Sequence, residues 1–239
     1  MKYGGWLVLL LVGCSFPVEP QSPHAVTSAT ATVSHFDPVH GTATIEILNQ
    51  SDKDITAYSL AIEAVLQDHQ VDRSERMADY GARLSAKGEG LHPGQTAKEP
   101  LQFSPKNRAM SVKATVVAVV FADQTSEASS SEALDRIVEH RTSEALMTRT
   151  SIEAVSQALA GTSEHPGETA GKIIRDRINT PAPRISKEYM KSVAAGLEKA
   201  PQGAASMGVT EREYLAHYLS ELQEQAQREE SYSHIRRQP

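Results

Sequence analysis

The hydrophobic period of this chain changes once, near Asp123, and the change fixes what kind of fold the chain can adopt. Before it, apolar residues recur at every second position, as on a strand with one buried face. After it they recur at three- and four-residue intervals, as on the buried stripe of a helix. Upstream, residues 27–35 (TSATATVSH) are rich in β-branched side chains, and residues 42–48 (TATIEIL) put Ala43, Ile45 and Ile47 on one face. Residues 55–67 (ITAYSLAIEAVLQ) place Tyr58, Leu60, Ile62, Ala64 and Leu66 at period two. Residues 111–122 (SVKATVVAVVFA) are apolar on both faces beyond Thr115, the pattern of an inner strand covered from two sides. The clusters at 49–54 (NQSDKD) and 88–96 (GEGLHPGQT) are turn chemistry. Strands of this length between polar turns predict an antiparallel β-sandwich over residues 24–125.

Downstream, residues 124–131 (QTSEASSS) read as a polar junction into a helical region, 126–239. A helix over 132–160 carries Leu134, Ile137, Val138, Ala145, Ile152, Val155 and Leu159 along one face. A second, over 168–179, buries Ile173, Ile174 and Ile178. A third, over 186–200, has Ser186 as its cap and buries Tyr189, Met190, Val193 and Leu197. Residues 201–208 read as a loose connection. Thr210 and Glu213 then have the spacing of a capping box. The helix they open carries Tyr214, Leu215, Tyr218, Leu219 and Leu222 as one stripe, and the charged residues 223–239 are expected to fray. The expected class is α+β, a sandwich followed by an all-helical region, with residues 24–125 expected to stay folded without the helices.

The first residues, MKYGGWLVLLLVGCSF, carry a lysine and then an unbroken apolar run from Trp6 to Val12. That run is short of the ~20 residues a spanning helix needs. A charged start, a short apolar stretch and small residues at its end are the layout of an export signal, here residues 1–13. Residues 11–14 (LVGC) resemble the lipobox of bacterial lipoproteins. The resemblance implies cleavage before Cys14, a diacylglycerol on its thiol and acylation of the new amino group. It also implies, through Ser15 in place of a retaining aspartate, delivery to the outer membrane facing the periplasm where the host has one. Cys14 is the only cysteine, so no intramolecular disulfide can form, and lipidation accounts for an exported chain with an odd thiol. Two or more acyl chains hold a protein stably on a bilayer. Residues 14–23, with prolines at 17, 20 and 23, read as an extended tether.

Within the first half, Asn49-x-Ser51-x-Lys53-x-Ile55, followed by Leu91-x-Pro93-Gly94-Gln95-Thr96, looks like the immunoglobulin-like sandwiches of bacterial envelope proteins. The resemblance implies a loop-presenting scaffold and points to no particular ligand.

A net charge of −6 and 5% aromatic residues argue against nucleic acid as a partner. His35, Asp37 and His40, with His92 elsewhere, are residue types that ligate zinc. Asp37-Pro38 is also ordinary hairpin-start chemistry, and a solvated turn is the reading adopted, with no metal and no cofactor. Ser163, Glu164 and His165 sit in a helix-breaking loop, where sequence neighbours cannot make a triad, and no G-x-S-x-G elbow occurs. Gly88-Glu89-Gly90 with Gly94 lacks the lysine of a phosphate loop, and Glu89 would repel phosphate. The stripe of Tyr214, Leu215, Tyr218, Leu219 and Leu222 is the candidate docking face for a partner, its competing role being the core of its own helical region. These residues lead to an expectation of a non-catalytic, lipid-anchored envelope module for binding or assembly with an envelope protein. The alternative is an exported hydrolase with its site between sandwich and helices.

Overall fold

In the computed structural model, which describes residues 25–80, 90–103, 108–179, 186–232 and 234–237, the period-two segments are strands and the segments of helical spacing are helices. Helices follow strands, and the protein is α+β. The signal, Cys14, the whole tether and Gly88-Glu89 lie outside the described residues.

β1 (Ala29–Asp37), β2 (Thr42–Asn49) and β5 (Thr96–Gln102) form one antiparallel sheet in the order β1-β2-β5. β4 (Val71–Asp79), β3 (Ile55–Leu66), β6 (Ala109–Phe121) and β7 (Thr125–Ala128) form a second, in that order, and the two-residue β8 (Arg236–Arg237) adds parallel to β7. Ile45 and Ile47 of β2 meet Tyr58, Leu60 and Ile62 of β3 and Val116 and Val119 of β6 in one apolar cluster, so both sheets contribute to the same core. Tyr58 is the largest buried side chain, and its hydroxyl donates to Glu99 of β5 at 2.6 Å, linking one sheet to the other. Burial, then Glu99, raise its pKa. The turn after β2 is organised by Asn49, which is fully buried and fully satisfied. Its amide donates to the carbonyls of Lys53 and Leu91, and its oxygen accepts from the Ser51 N–H and hydroxyl.

α1 (Ser131–Ala160) starts where the Ser130 side chain accepts from the Ala133 N–H. Its first turns lay Ala133, Leu134 and Ile137 on Ala57, Ala118 and Val120, the face of the second sheet turned away from the first. Thirty residues make a rod of roughly 45 Å. Its later turns therefore reach a separate core, where Met147, Ala154, Val155 and Ala158 pack with α2 (Pro166–Ile178), α3 (Lys187–Leu197) and α5 (Glu211–Tyr232). α2 lies close on α3 because Gly167 and Gly171 face it. A Cβ on Gly167 would stand 2.4 Å from the Leu197 carbonyl oxygen, and one on Gly171 2.9 Å from that of Ala194. The capping box forms as expected, with the Thr210 N–H bonded to the Glu213 carboxylate and the Glu213 N–H to the Thr210 hydroxyl. The next two residues serve the neighbouring helix ends: Glu211 accepts from the Gly167 N–H at the start of α2, while Arg212 donates to the Leu159, Gly161 and Ser163 carbonyls at the end of α1.

Several expectations need correction. β4 and β5 are strands that the alternation did not reveal, since both are edge strands rich in charge, and β5 holds Pro100 where an edge tolerates it. The polar junction contains β7, so the region read as all-helical contributes β7 and β8 to a sheet. Residues 200–207 are a helix, α4 (Ala200–Met207), and not a loose connection: Pro201 occupies its first turn and Gly208 closes it at φ 69°. Residues 223–232 do not fray but continue α5, with Gln225 and Glu229 buried. Tyr189 is 42% exposed where burial was expected.

Candidate functional site

The stripe of α5 faces inward. Leu215 and Leu222 are buried, and Tyr214, Tyr218 and Leu219 are half-buried against the helical core. The two tyrosines are the stripe's open margin. With Val193, Gly196 and Leu197 of α3 they line a groove of about 180 Å³. Tyr214 lies over Gly203 of α4, where a Cβ would come within 2.9 Å of its ring. Burial, followed by Tyr189 and Tyr214, pushes the Tyr218 hydroxyl up to about 12, so it stays a neutral donor at physiological pH. The groove thus sets the aromatic surface of two tyrosines beside Gly196, which has no side chain to fill it.

The polar candidates are dispersed. Asp37 organises the β1–β2 turn: one carboxylate oxygen accepts from the Val39 and His40 N–H groups, and the other meets the His40 ring at 2.7 Å. The His40 contact is the main reason its carboxyl lies down at about 2. His92 instead meets Asp54 at 2.9 Å, on a different turn. Among the described residues no group of three or more His, Cys, Asp or Glu side chains is placed to hold a metal ion. Ser163 is spent on its own loop, accepting from the His165 N–H and the Thr169 hydroxyl, while the His165 ring sits 3.9 Å from Glu211. Gly90 leads into an isolated bridge between Leu91 and Ile55, and Gly94, at φ 76°, makes the turn before β5. A charged cleft of about 510 Å³ between α2 and α3 is lined by Glu168, Thr169, Lys172, Arg175 and Glu198, and Arg175 and Glu198 close on each other across it.

Against protein-family models, curated proteins and solved structures, the chain finds no match. Its site has to be read from its own side chains.

The seam between sheet and helices holds the polar groups that the sequence did not single out. Arg141 of α1 is buried and donates twice to Asp79 at the end of β4, at 2.7 and 3.1 Å. It also donates to the Thr56 hydroxyl of β3 and to the Tyr232 carbonyl of α5, with the Tyr232 ring 5.7 Å away. One guanidinium so joins four elements. Two turns further along α1, Thr148 donates to Glu229 of α5 at 2.9 Å, and Gln225 donates to the same oxygen at 2.6 Å. The other Glu229 oxygen is buried without a hydrogen-bond partner. Burial is the main cause raising the Glu229 pKa, with Glu144 adding to it. Glu144 is itself raised, first by burial and then by Asp79, while His140 opposes. Among the described residues, an apolar cluster and the Arg141–Asp79 ion pair lie along the seam between sheet and helices. The one signal in the sequence was spacing: Arg141, Thr148 and Gln225 fall on the buried stripes of their helices, where their polarity hid them. Among the described residues no helix is long and apolar enough to cross a membrane.

Proposed function

We propose that the chain is a lipid-anchored envelope protein whose folded part is a non-catalytic module for binding or assembly. Residues 11–14 carry the reading: the sole cysteine follows a short apolar run across the single small residue Gly13, which fits acylation and leaves no other evident use for a thiol in an exported chain. The two antiparallel sheets, sharing one apolar cluster, support a sandwich of the immunoglobulin-like kind as its scaffold. The tyrosine-lined groove of α3 and α5 supports a binding role, since it offers aromatic stacking surface and the Tyr218 hydroxyl as a neutral donor. Thr27 lies thirteen residue steps from Cys14, at most about 47 Å of extended chain, so anchoring at Cys14 keeps Thr27, which bonds to Glu127 of β7, within that reach of the bilayer.

The test is the intact mass and membrane partition of the full chain expressed in a bacterium, beside Cys14→Ser. Cleavage before Cys14 plus acyl mass, and release of the Cys14→Ser protein from membranes in folded form, support the proposal. A free thiol at Cys14, or membrane residence that survives the substitution, refutes it.

A further inference from the structure

α5 is held in two different ways along its length. Up to Leu222 apolar burial anchors it: Leu215 lies in the helical core, with Tyr214, Tyr218 and Leu219 packed against it. Beyond Leu222 its buried side chains are Gln225 and Glu229, both polar. The last turns therefore stay on α1 through hydrogen bonds. Thr148 and Gln225 donate to one Glu229 oxygen at 2.9 and 2.6 Å, and Arg141 donates to the Tyr232 carbonyl at 3.0 Å. Residues 234–237 then reach β7, where the Arg236 N–H donates to the Gln124 carbonyl at 2.7 Å, with Ile235 against the apolar cluster beneath α1.

Glu229 is the weak member of this set. It is 7% exposed, and its second oxygen is buried without a hydrogen-bond partner. Both donors to its first oxygen are neutral side chains. The charges that reach it come from α1: Glu144 repels its anion, and the exposed Arg149 attracts it. Tyr189 of α3 feels both carboxylates, and Glu144 has His140 and Asp79 as charged neighbours of its own. A buried carboxyl placed in this way is comfortable when neutral and costly when ionised.

We propose that Glu229 is a proton-operated latch: its neutral form holds residues 223–232 on α1, and its ionised form releases them, with residues 234–237, from α1 and β7. On release the proton passes to solvent and the carboxylate reaches water. The opening is local, because Leu215 and its neighbours keep the first half of α5 in the helical core. The closed form binds the proton more firmly than the open form does. Closure is therefore favoured fully below the ordinary value of 4.5 and loses that advantage as pH rises through the closed-state value. The latch does not depend on the lipid anchor, so its test fails separately from the Cys14 test.

The test is native-state amide exchange of the full chain between about pH 4 and pH 8, corrected for the pH dependence of intrinsic exchange. In the parent, protection of the amides of 225–232 and of Arg236 should fall by up to ~10-fold per pH unit above the ordinary value, until the closed-state value is passed. Protection in α2 should hold steady over the same range. Glu229→Gln keeps the acceptor for Thr148 and Gln225 and cannot ionise, so its last turns should show no such loss. Glu144→Gln removes the repelling neighbour, so its loss should end at a lower pH and be smaller in total. Both substitutions preserve side-chain shape. A flat profile in the parent overturns the proposal, as does an equal loss in α2, which would mean global unfolding. A loss that persists in Glu229→Gln overturns it too, since the proton would then belong to another group such as Glu144, His140 or His234.

Discussion

Arg141 and Asp79 are each more than nine-tenths withdrawn from water, at 6% and 1% side-chain exposure, and each is the other's charge partner. A solvent-exposed pair such as Lys98–Glu46 contributes about 0–1 kcal/mol, because water competes for both ends. A buried pair behaves differently: its net contribution is small, but removing one member strands the other without solvation. Arg141→Met should therefore cost ~3–5 kcal/mol of unfolding free energy by urea titration. Arg141→Met with Asp79→Leu should cost clearly less than the single change. A single change that costs under about 1 kcal/mol would mean the pair is not buried in solution. Glu229 gives a second prediction, with the opposite sign of pH dependence from an ordinary ion-paired carboxylate. Its folded pKa lies above the ordinary 4.5, so the folded state holds its proton more firmly than the unfolded chain does. The stabilisation linked to that proton is complete below the unfolded value and is lost as pH rises through the folded value. Glu229→Gln keeps the acceptor for Thr148 and Gln225 but cannot ionise, so its melting temperature relative to the parent should rise between about pH 4 and pH 7.5. A difference that stays flat across that range would show that Glu229 is solvated. Neither residue was legible beforehand, because hydrophobic periodicity registers buried apolar groups and is blind to buried polar ones that find partners.

The consequence for the elements is visible in α1 and α5. The buried residues of α1 include Leu134, Ile137, Arg141, Thr148, Ser151, Val155 and Ala158, and those of α5 include Leu215, Leu222, Gln225 and Glu229. Both series step by three and four, as in paired helices, but polar side chains hold several of the steps. Reading apolar residues alone shifted the α1 stripe toward Ala145, Ile152 and Leu159, which are half-buried. Strands whose apolar faces were unbroken, β2, β3 and β6, were legible for the same reason that α1 was not: Ile45, Ile62 and Val116 all lie in the core. Edge strands were lost because charge protects an edge and erases alternation together. Of the candidate site, the stripe Tyr214 to Leu222 was legible as a face, but its inward orientation required knowing what α3 packs against. The α2–α3 contact carries its own prediction. Gly167→Ala would drive a Cβ to 2.4 Å from the Leu197 carbonyl oxygen and 2.8 Å from the Glu211 carboxylate that caps α2. Backbone must move, at a cost of ~1–3 kcal/mol. Gly196→Ala is the control, since nothing lies within 4 Å of its Cβ position, and helix propensity should make it neutral or stabilising by up to ~1 kcal/mol. Thermal melts of the two variants should move in opposite directions or by clearly different amounts, and equal shifts would mean that α2 does not approach α3 this closely.

At the scale of the whole molecule, the change of period near Asp123 marks a change of secondary structure, whereas the packing runs across it. Ala57, Ala118 and Val120 point away from the first sheet, and Ala133, Leu134 and Ile137 of α1 are what cover them. A fragment ending near residue 125 would leave that apolar face in water, lose β7 from the sheet edge and strand Asp79 without Arg141. The sequence encouraged the view that residues 24–125 fold alone, because nothing in the period itself shows which face of an inner strand will need a helix from elsewhere. The seam supplies contacts that such a fragment would lack. Residues 24–125 expressed alone should be less stable than the same region within the full chain and should bind a hydrophobic dye through the uncovered face. Residues 24–145, which restore β7, the first turns of α1 and Arg141, should recover much of the cooperativity lost, with a steeper urea transition and weaker dye binding. Equal transitions for the two fragments would mean that the first turns of α1 lie on a sheet already stable without them. Sheet and helices would then be neighbours joined by a linker, and the ion pair at Arg141 a contact between them rather than part of one folding unit.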